Sequence, residues 1–319
     1  MKTIGLRVVI KQLYADLIGK DSYRGITQTY AWLANQFGHF SLGFLVAWIL
    51  NLFLKDAPTS AISSVLFWLI FETYNVFESV YLKARKNPFV FKPQLGNLVY
   101  DTFTDLIYFW LGALIFYLPV RSGDSIFWLL IPFGIYLSIA FWFWYRIKIY
   151  LQEGFLPFQF RLSQWRGKFV SPIEKDQIEL FNSSTDCLHL LISGPINSGK
   201  TSLAIGLASE AALQKKTIFY TTLFRLSGDL ALKNDTKSQT GLWTRRSAEF
   251  LIVDDTNPDG LNWVDLGKFG ELLQDSGEVP ELVTKKVIWI LNETDLEAWK
   301  SKLKSMGLQP SKTISCRLK

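Results

Sequence analysis

The segment Gly194–Thr201, with the sequence GPINSGKT, constrains this 319-residue chain more than any other stretch. It matches the phosphate-binding pattern G-x-x-x-x-G-K-[ST] at every position. The apolar run Leu188–Ser193 before it suits a buried strand, and Thr201–Gln214 after it has helical periodicity. Glycines let a backbone wrap closely around an anion, and successive N–H groups with a helix N-terminus supply positive potential. Strand, loop and helix in this order predict a nucleotide site and argue against a chance glycine-rich turn.

The loop residues take predicted roles from this pattern. We expect Lys200 to reach the terminal phosphates and the Thr201 hydroxyl to ligate Mg²⁺. The residues predicted to contact the nucleotide are Gly194, Pro195, Ile196, Asn197, Ser198, Gly199, Lys200, Thr201 and Ser202.

Apolar strands alternate with helical stretches after the loop. Predicted strands cover 217–222, 250–253, 287–291 and 313–318, and predicted helices cover about 263–275 and 295–306. This order predicts a three-layer α/β domain with a mainly parallel sheet covered on both faces. Ligands of such sheets bind at the carboxyl ends of the strands.

Polar residues end two of these strands. Asp254 is predicted to hold Mg²⁺ through water, and Asp255 to polarise the attacking water. Asn292 ends the next strand and is predicted to orient water near the γ-phosphate. Capping of the helix that begins near Asp295 is the alternative role for Asn292.

A guanine nucleotide is the alternative to ATP. The segments from Asp255 to Asp259 and from Asn292 to Asp295 loosely echo the D-x-x-G and N-K-x-D motifs of GTPases. The second segment lacks the lysine, and a GTPase would need a further strand–helix pair between the two. ATP with Mg²⁺ is therefore the predicted ligand.

The first 150 residues are of a different kind. The chain is 49% hydrophobic and 15% aromatic, and the excess lies almost wholly in this half. Four apolar segments, at about 37–54, 61–82, 98–118 and 126–145, each approach the roughly 20 residues that cross a bilayer. They predict a membrane α-helical bundle of four transmembrane helices within residues 36–150. Two cysteines, Cys187 and Cys316, exclude a disulfide framework or a zinc site.

Basic residues indicate the orientation of the bundle. The loop between the second and third segments and the end of the fourth contain Lys83, Arg85, Lys86, Lys92, Arg146 and Lys148. The loops at 55–60 and 119–125 are nearly neutral, so the positive-inside rule predicts a multi-pass inner-membrane protein with both termini in the cytoplasm. In the N-terminal region 1–35, residues 3–19 predict an amphipathic helix that lies on the membrane surface or packs against protein.

Four polar residues fall within the apolar segments: His39, Glu72, Asp101 and Asp105. Asp101 and Asp105 are four residues apart and share a helix face, where they repel unless protonated, bridged by a cation or hydrated. One interpretation is a site for a cation, a proton or a lipid headgroup. The other is a set of hydrogen-bonded groups that fix helix packing.

The surrounding motifs resemble those of small four-span VanZ-like membrane proteins. The matching pieces are Gly38-His39-Phe40, Leu42-Gly43-Phe44, Phe71-Glu72 and Asp101-Thr-Phe-Thr-Asp105. This resemblance covers about a quarter of the chain and implies an architecture and a polar cluster, but no activity.

Residues 151–186 are predicted to form a juxtamembrane linker. Its first part interleaves arginine and lysine with aromatic residues. This composition favours contact with anionic lipid headgroups, and nucleic acid is the alternative partner.

Residues 187–319 are predicted to form a cytoplasmic P-loop NTPase domain. The segments GPINSGKTSLAIGLASEAALQKKTIFYTT, FLIVDD and VIWILNETD together resemble the AAA+ ATPase core of the IstB/DnaC/DnaA-like group. The resemblance implies ATP, Mg²⁺ and a homo-oligomer. It also implies phosphate and metal contacts from Lys200 and Thr201, an acidic pair at Asp254 and Asp255, and a polar sensor at Asn292.

Three departures from this group bear on hydrolysis. The acidic pair is Asp-Asp where many relatives have Asp-Glu, and the helical lid subdomain with its sensor arginine is expected to be absent. No arginine precedes the last predicted strand, where a trans-acting arginine would be expected; Lys302 and Lys304 are the nearest basic residues, and Arg245 and Arg246 are only distant candidates. Since such an arginine accelerates hydrolysis by orders of magnitude, slow turnover that depends on a protein partner is expected.

Three classes of function fit these observations. One is an ATPase whose nucleotide state is coupled to the membrane bundle or to a partner. The second is a nucleotide-dependent switch that acts as a membrane effector or sensor, for example in anti-phage defence. The third is a transport component that uses the intramembrane acids.

Overall fold

The computed structural model describes residues 4–17, 28–82, 85, 89–118, 127–184, 186, 188–238, 241–256, 266–307 and 310–319. The chain divides into two compact units, residues 4–148 and 149–319, and each is described by itself. Several residues of the predictions lie outside the described ranges. They are Lys83, Lys86, Cys187, Asp259 and the loop at 119–125.

The N-terminal unit is helical. Its helices are α1 (Leu6–Leu17), α2 (Gln28–Leu54), α3 (Ala57–Phe77), α4 (Leu95–Tyr117) and α5 (Phe127–Glu153), and a π-helical turn, Glu78–Leu82, follows α3. The Asp56 carboxylate begins α3 by accepting a hydrogen bond from the Thr59 N–H at 3.1 Å.

Three of the helices are long and apolar enough to cross a membrane: Trp32–Leu54 within α2, Ala57–Phe77 and Leu95–Tyr117. Large apolar side chains project from them into the surroundings; Phe53 is 79% exposed and Ile70 69% exposed. A surface of this kind favours contact with lipid. The first three predicted spans are thereby confirmed as membrane-capable helices. Helix α5 covers the fourth segment, whose crossing of the membrane stays a prediction.

Two glycines bring α2 and α4 into backbone contact. A Cβ atom on Gly43 would lie 2.0 Å from the Phe109 carbonyl oxygen, and one on Gly112 would lie 2.0 Å from that of Phe40. Small residues at helix crossings permit this approach in membrane proteins. The Ser64 hydroxyl of α3 donates a hydrogen bond to the Gly43 carbonyl at 3.0 Å, so all three helices meet at this crossing.

The C-terminal unit is an α/β domain. Its strands are β1 (His189–Ser193), β2 (Ile218–Thr222), β3 (Phe250–Asp254), β4 (Lys286–Leu291) and β5 (Thr313–Arg317). Its helices are α6 (Pro172–Ser183), α7 (Lys200–Leu213), α8 (Leu223–Ala231), α9 (Leu266–Asp275), α10 (Val279–Val283) and α11 (Leu296–Ser305).

The five strands form one parallel sheet in the order β2-β3-β4-β1-β5. Every residue of β1, β3 and β4 is buried. Because successive strand residues point to opposite faces, both faces of these central strands are covered. The parallel α/β fold that the sequence predicts is confirmed.

Helices α6, α8 and α10 extend the predicted element order. Helix α6 begins at a capping box in which the Ser171 hydroxyl and the Glu174 carboxylate each accept a backbone hydrogen bond. The sequence displays this signal as Ser171-Pro-Ile-Glu174, within a stretch that the sequence analysis treats as linker.

Candidate functional site

The phosphate-loop segment joins β1 to α7 through backbone conformations that few residues adopt. Gly199 has φ +87° and precedes the first residue of α7, and Asn197 has φ +66°. Positive φ at these positions suits glycine and asparagine. The loop therefore presents its backbone and the N-terminus of α7 on the same side.

Gly194 stands where no side chain fits. A Cβ atom there would lie 2.8 Å from the Leu318 carbonyl oxygen and 3.0 Å from the Ser198 hydroxyl oxygen. The loop is thus packed against the residue that follows β5. Substitution of Gly194 would displace the loop backbone, which explains the glycine of the motif in physical terms.

Two side chains of the loop point into its own concavity. The Lys200 ammonium group donates hydrogen bonds of 2.7 Å to the carbonyls of Gly194 and Pro195. The Ser198 hydroxyl oxygen is buried and has no hydrogen-bond partner among the described residues. Burial lowers the pKa of Lys200, while the charges of Asp254 and Glu293 oppose that shift. Lys200 and the acid that ends β3 therefore interact across the site.

Asp254 is held on both carboxylate oxygens. The Tyr220 hydroxyl of β2 donates to Oδ2 at 2.8 Å, and the Asp255 N–H donates to Oδ1 at 2.8 Å. Burial, then the charges and the hydrogen bond of the acidic pair, raise the pKa of Tyr220, so the phenol stays a donor. The sequence analysis did not identify Tyr220 as a site residue, since nothing in the pattern shows which β2 side chain reaches β3.

Asp255 is exposed and has φ +50°. A non-glycine residue with positive φ is uncommon and is found most often at turns and functional sites. Partial burial, and then the charge of Asp254, raise the pKa of Asp255 above its ordinary value. The carboxylate thus stands beside the buried acid but faces solvent.

Asn292 follows β4 at the same edge of the sheet. Ser193 pairs with Leu291, and Val253 pairs with Trp289, so β1, β3 and β4 end side by side. Asn292 precedes a 3₁₀ turn (Glu293–Asp295) without a capping hydrogen bond from its side chain, and α11 likewise begins without one from Asp295. The alternative role of Asn292 as a helix cap therefore has no support in the described hydrogen bonds.

A segment before the domain holds the loop from outside. The Trp165 indole N–H donates to the Gly199 carbonyl at 2.9 Å. A Cβ atom on Gly167 would lie 2.2 Å from the Trp165 ring, so glycine there permits the ring to pack. Trp165 is a residue that the sequence analysis missed, because a tryptophan in a basic-aromatic stretch suggests membrane contact first.

Further contacts fix the same segment to the domain. The Arg161 guanidinium pairs with the Glu210 carboxylate of α7 at 3.0 Å. The Val170 N–H donates to the Arg317 carbonyl at 3.1 Å, and the Lys319 N–H donates to the Lys168 carbonyl at 2.9 Å. We call residues 156–170 the strap. It follows α5 in the chain and packs within the unit that contains the loop.

The two arginines considered as distant finger candidates are engaged elsewhere. The side chain of Arg245 is 2% exposed and pairs with Glu278, and Arg246 pairs with the same carboxylate at 2.8 Å. Burial alone would raise the pKa of Glu278, but the hydrogen bonds and charges of the two arginines lower it. Both guanidinium groups therefore have a structural partner.

In the N-terminal unit, three of the four polar residues predicted in the spans are at least partly buried. His39 Nε2 lies 3.5 Å from Asp105 Oδ1, and Glu72 is 4% exposed. Asp101, one turn before Asp105, is exposed. The described residues hold no group of three histidine, cysteine or acidic side chains with the geometry of a metal site.

Comparison with known proteins gives a distant likeness of fold. No family model matches the chain, and no curated protein matches it. Among solved structures, a DnaC helicase loader is 18% identical over 50% of this chain and 96% of its own, with a TM-score of 0.37. The DnaI structure is 16% identical over 50% of this chain and 88% of its own, with a TM-score of 0.35.

The function of the site is inferred from its own geometry. None of the comparisons supports the resemblance of the N-terminal half to VanZ-like proteins.

Proposed function

We propose that this chain is a membrane-anchored ATP-binding protein of AAA+-like type that hydrolyses ATP slowly. Its nucleotide state would be coupled to the membrane bundle or to a protein partner. The observation that carries the proposal is the convergence of a phosphate loop, two acids and an asparagine at the carboxyl edge of one parallel sheet.

The described residues fit a nucleotide with Mg²⁺. The buried Ser198 hydroxyl without a partner and the ammonium group of Lys200 both suit phosphate oxygens. Thr201 and Asp254 would hold Mg²⁺, which proteins bind through one or two carboxylates together with substrate phosphates. A site of this kind needs no cluster of three protein ligands. The metal would neutralise phosphate charge during transfer.

Each remaining residue has a defined task in hydrolysis. Tyr220 and the Asp255 N–H fix the orientation of the Asp254 carboxylate. Asp255, exposed beside it, would accept a hydrogen bond from the attacking water. Asn292, with its side chain uncommitted to a cap, would orient that water.

Hydrolysis would depend on a second protein surface. Arg245 and Arg246 are committed to Glu278, so neither of these described residues is available to stabilise the transferred phosphate. The stabilising cation would then come from another residue of a second copy in a homo-oligomer or from a partner. This observation also favours the second candidate function, a switch that binds ATP tightly and responds to a partner or nucleic acid.

The strap supports coupling between nucleotide and membrane. The strap follows α5 in the chain, and its Trp165 indole N–H donates a hydrogen bond to the Gly199 carbonyl. Gly199 belongs to the loop that would hold the phosphates. We propose an inner-membrane protein with cytoplasmic termini, in which a displacement of α5 reaches the loop through the strap. Exposed apolar side chains on the three membrane-capable helices would contact lipid.

The test is Mg·ATP binding and steady-state hydrolysis by the full chain in detergent. Lys200→Ala should weaken binding by about tenfold or more, because it removes charge-assisted hydrogen bonds. Asp255→Asn should retain binding and lose turnover. Lys233→Ala, an exposed lysine after α8, is the matched control for charge.

Binding without turnover, restored by a partner or by added nucleic acid, would favour the switch. Equal Mg·ATP binding by wild type and Lys200→Ala would refute the proposed site.

A further inference from the structure

Helices α2, α3 and α4 enclose a polar cluster within their membrane-capable stretches. His39 of α2 faces Asp105 of α4 at 3.5 Å, and the Gln36 amide hydrogen-bonds to the Asp105 carboxyl group. Gln36 is 2% exposed and Glu72 of α3 is 4% exposed. We call His39, Asp105, Gln36 and Glu72 the bundle cluster.

The facing atoms of His39 and Asp105 are both hydrogen-bond acceptors as they stand. The Asn35 amide nitrogen lies 3.0 Å from His39 Nε2 and donates to it, which places the ring hydrogen on Nδ1. Asp105 Oδ1 has no hydrogen-bond partner among the described residues. Nε2 has one lone pair, which accepts the Asn35 N–H, so this tautomer offers no hydrogen to Asp105 Oδ1. A proton taken up between the two atoms, as the Asn35 amide turns away, would join them by a charge-assisted hydrogen bond.

Other atoms of the cluster also have no hydrogen-bond partner among the described residues. They are Gln36 Oε1 and His39 Nδ1. Buried polar atoms of native proteins are nearly always paired, and an unpaired one is costly in an apolar environment. These atoms indicate that the cluster takes up something small and polar.

The carboxyl and imidazole groups of the bundle cluster favour a proton as the occupant. Two carboxyl groups disfavour an anion and favour an occupant that carries positive charge. A proton requires only one acceptor on each side, which His39 and Asp105 supply.

The charged groups around the His39–Asp105 pair also favour the binding of a positive charge. Glu72 from α3 and Asp101 from α4 both add negative potential at Asp105. Tyr108 of α4 interacts with Asp105 and with Tyr136 of α5, and Lys148 of α5 interacts with Asp101. Acids outnumber cations near the pair, which favours the uptake of positive charge.

We propose that His39 and Asp105 form an exchangeable proton-binding site inside the bundle, with Gln36 and Glu72 as its buried polar wall. This proton-binding site lies in the N-terminal unit and is argued without the nucleotide site. Its occupancy would change the charge of the bundle by one unit. Its chemistry suits a membrane domain that responds to pH or passes protons.

Labelling with dicyclohexylcarbodiimide tests the proposal on the full chain in detergent, because this reagent modifies carboxyl groups only when they carry a proton. We expect one label, at Asp105, with a labelling rate that falls tenfold per pH unit above its midpoint. His39→Gln should move that midpoint, and Asp105→Asn should abolish the label. Asp101→Asn, one turn away and exposed, is the matched control and should still be labelled at Asp105.

Three results would overturn the proposal. The first is that Asp105 is not labelled at any pH. The second is that the pH midpoint of labelling is the same in wild type and in His39→Gln. The third is that Na⁺ protects Asp105 from labelling at constant pH, which would identify a metal cation as the occupant. The labelling of Asp105 is measured on the wild-type chain, so the result does not depend on whether a variant folds. Mg·ATP binding in the same sample checks the proposed function separately.

Discussion

In the C-terminal unit, the buried cations Arg245, Lys285 and Lys286 donate hydrogen bonds to oxygen atoms, although Arg245 Nε itself has no hydrogen-bond partner among the described residues. In the N-terminal unit, Gln36, His39 and Asp105 each have a buried polar atom without a hydrogen-bond partner among the described residues. Lys285 Nζ donates to the Arg245 carbonyl at 3.0 Å, although burial lowers its pKa to about 8. Buried polar side chains of the two units therefore differ in how many of their polar atoms are hydrogen-bonded.

The difference separates groups that hold a fold together from groups that bind. A buried charge with a complete set of partners contributes fixed geometry, and its loss damages the fold. A buried polar atom without a partner retains the capacity to accept one. Substitutions of the buried cations of the C-terminal unit or of their partners should thus affect stability, and substitutions in the bundle cluster should affect proton uptake.

The largest effect is expected at Glu278. Glu278→Gln leaves Arg245 buried beside a neutral amide and should lower the free energy of unfolding of the C-terminal unit by about 3 kcal/mol. Denaturant unfolding, followed by hydrogen exchange in β3 and β4, measures it. The control is Glu297→Gln, which removes an exposed pair with Lys300 and should cost less than about 1 kcal/mol. If the two substitutions lowered the free energy of unfolding equally, the buried ion pair would contribute no more to stability than the exposed one, and the contrast between the two units would be wrong.

His189 should give the C-terminal unit an acid-sensitive stability. Burial lowers its pKa to about 4, and its ring lies between the Trp289 indole N–H and the Leu282 carbonyl at 3.1 Å from each. The unfolded chain takes a proton near pH 6.5 and the folded chain does not, so stability is complete above pH 6.5 and falls toward pH 4. The loss should reach about 3 kcal/mol.

Denaturation of wild type and His189→Gln across that pH range measures this contribution as the difference between the two slopes. Parallel slopes would show that His189 titrates in the fold as it does in the unfolded chain.

Trp165→Phe should sharpen the role of the strap. Phenylalanine keeps an aromatic ring but removes the hydrogen bond to Gly199 together with part of the buried ring that packs on Gly167. We expect about fivefold weaker Mg·ATP binding, which corresponds to about 1 kcal/mol, together with a loss of stability from the space left in the packing. A loss of stability without a change in binding would mark Trp165 as a packing residue alone.

Tyr220→Phe is expected to have the smallest effect. It frees one oxygen of Asp254 while the Asp255 N–H still holds the other. The Mg²⁺ concentration for half-maximal hydrolysis should shift by a few-fold, with ATP affinity unchanged. Ile218→Val, a small change to a buried apolar side chain of the same strand, controls for disturbance of β2.

The fold was largely accessible from the sequence. The apolar runs predicted all five strands within about two residues, because a buried parallel strand is a continuous apolar segment. The predicted helix near 295–306 is α11. The helix α6 escaped because its apolar stripe is thin, although Ser171 and Glu174 displayed its capping box.

The site was accessible only in part. Its motif residues have fixed spacing, so Gly194 to Ser202, Asp254, Asp255 and Asn292 could be named beforehand. Trp165 and Tyr220 reach the site through tertiary contacts, which no local spacing encodes. The engagement of Arg245 by Glu278 likewise joins residues 33 positions apart.

The contacts of Gly43 with Phe109 and of Gly112 with Phe40 fix the crossing of α2 and α4. The two backbones cannot approach further at this crossing, so a displacement of either helix grows with distance from it. His39 and Asp105 lie one turn, about 5.4 Å, from the Gly43–Phe109 contact on their respective helices. A swing of the helix ends would therefore leave their separation nearly constant, and the pair would keep its geometry while the outer turns move.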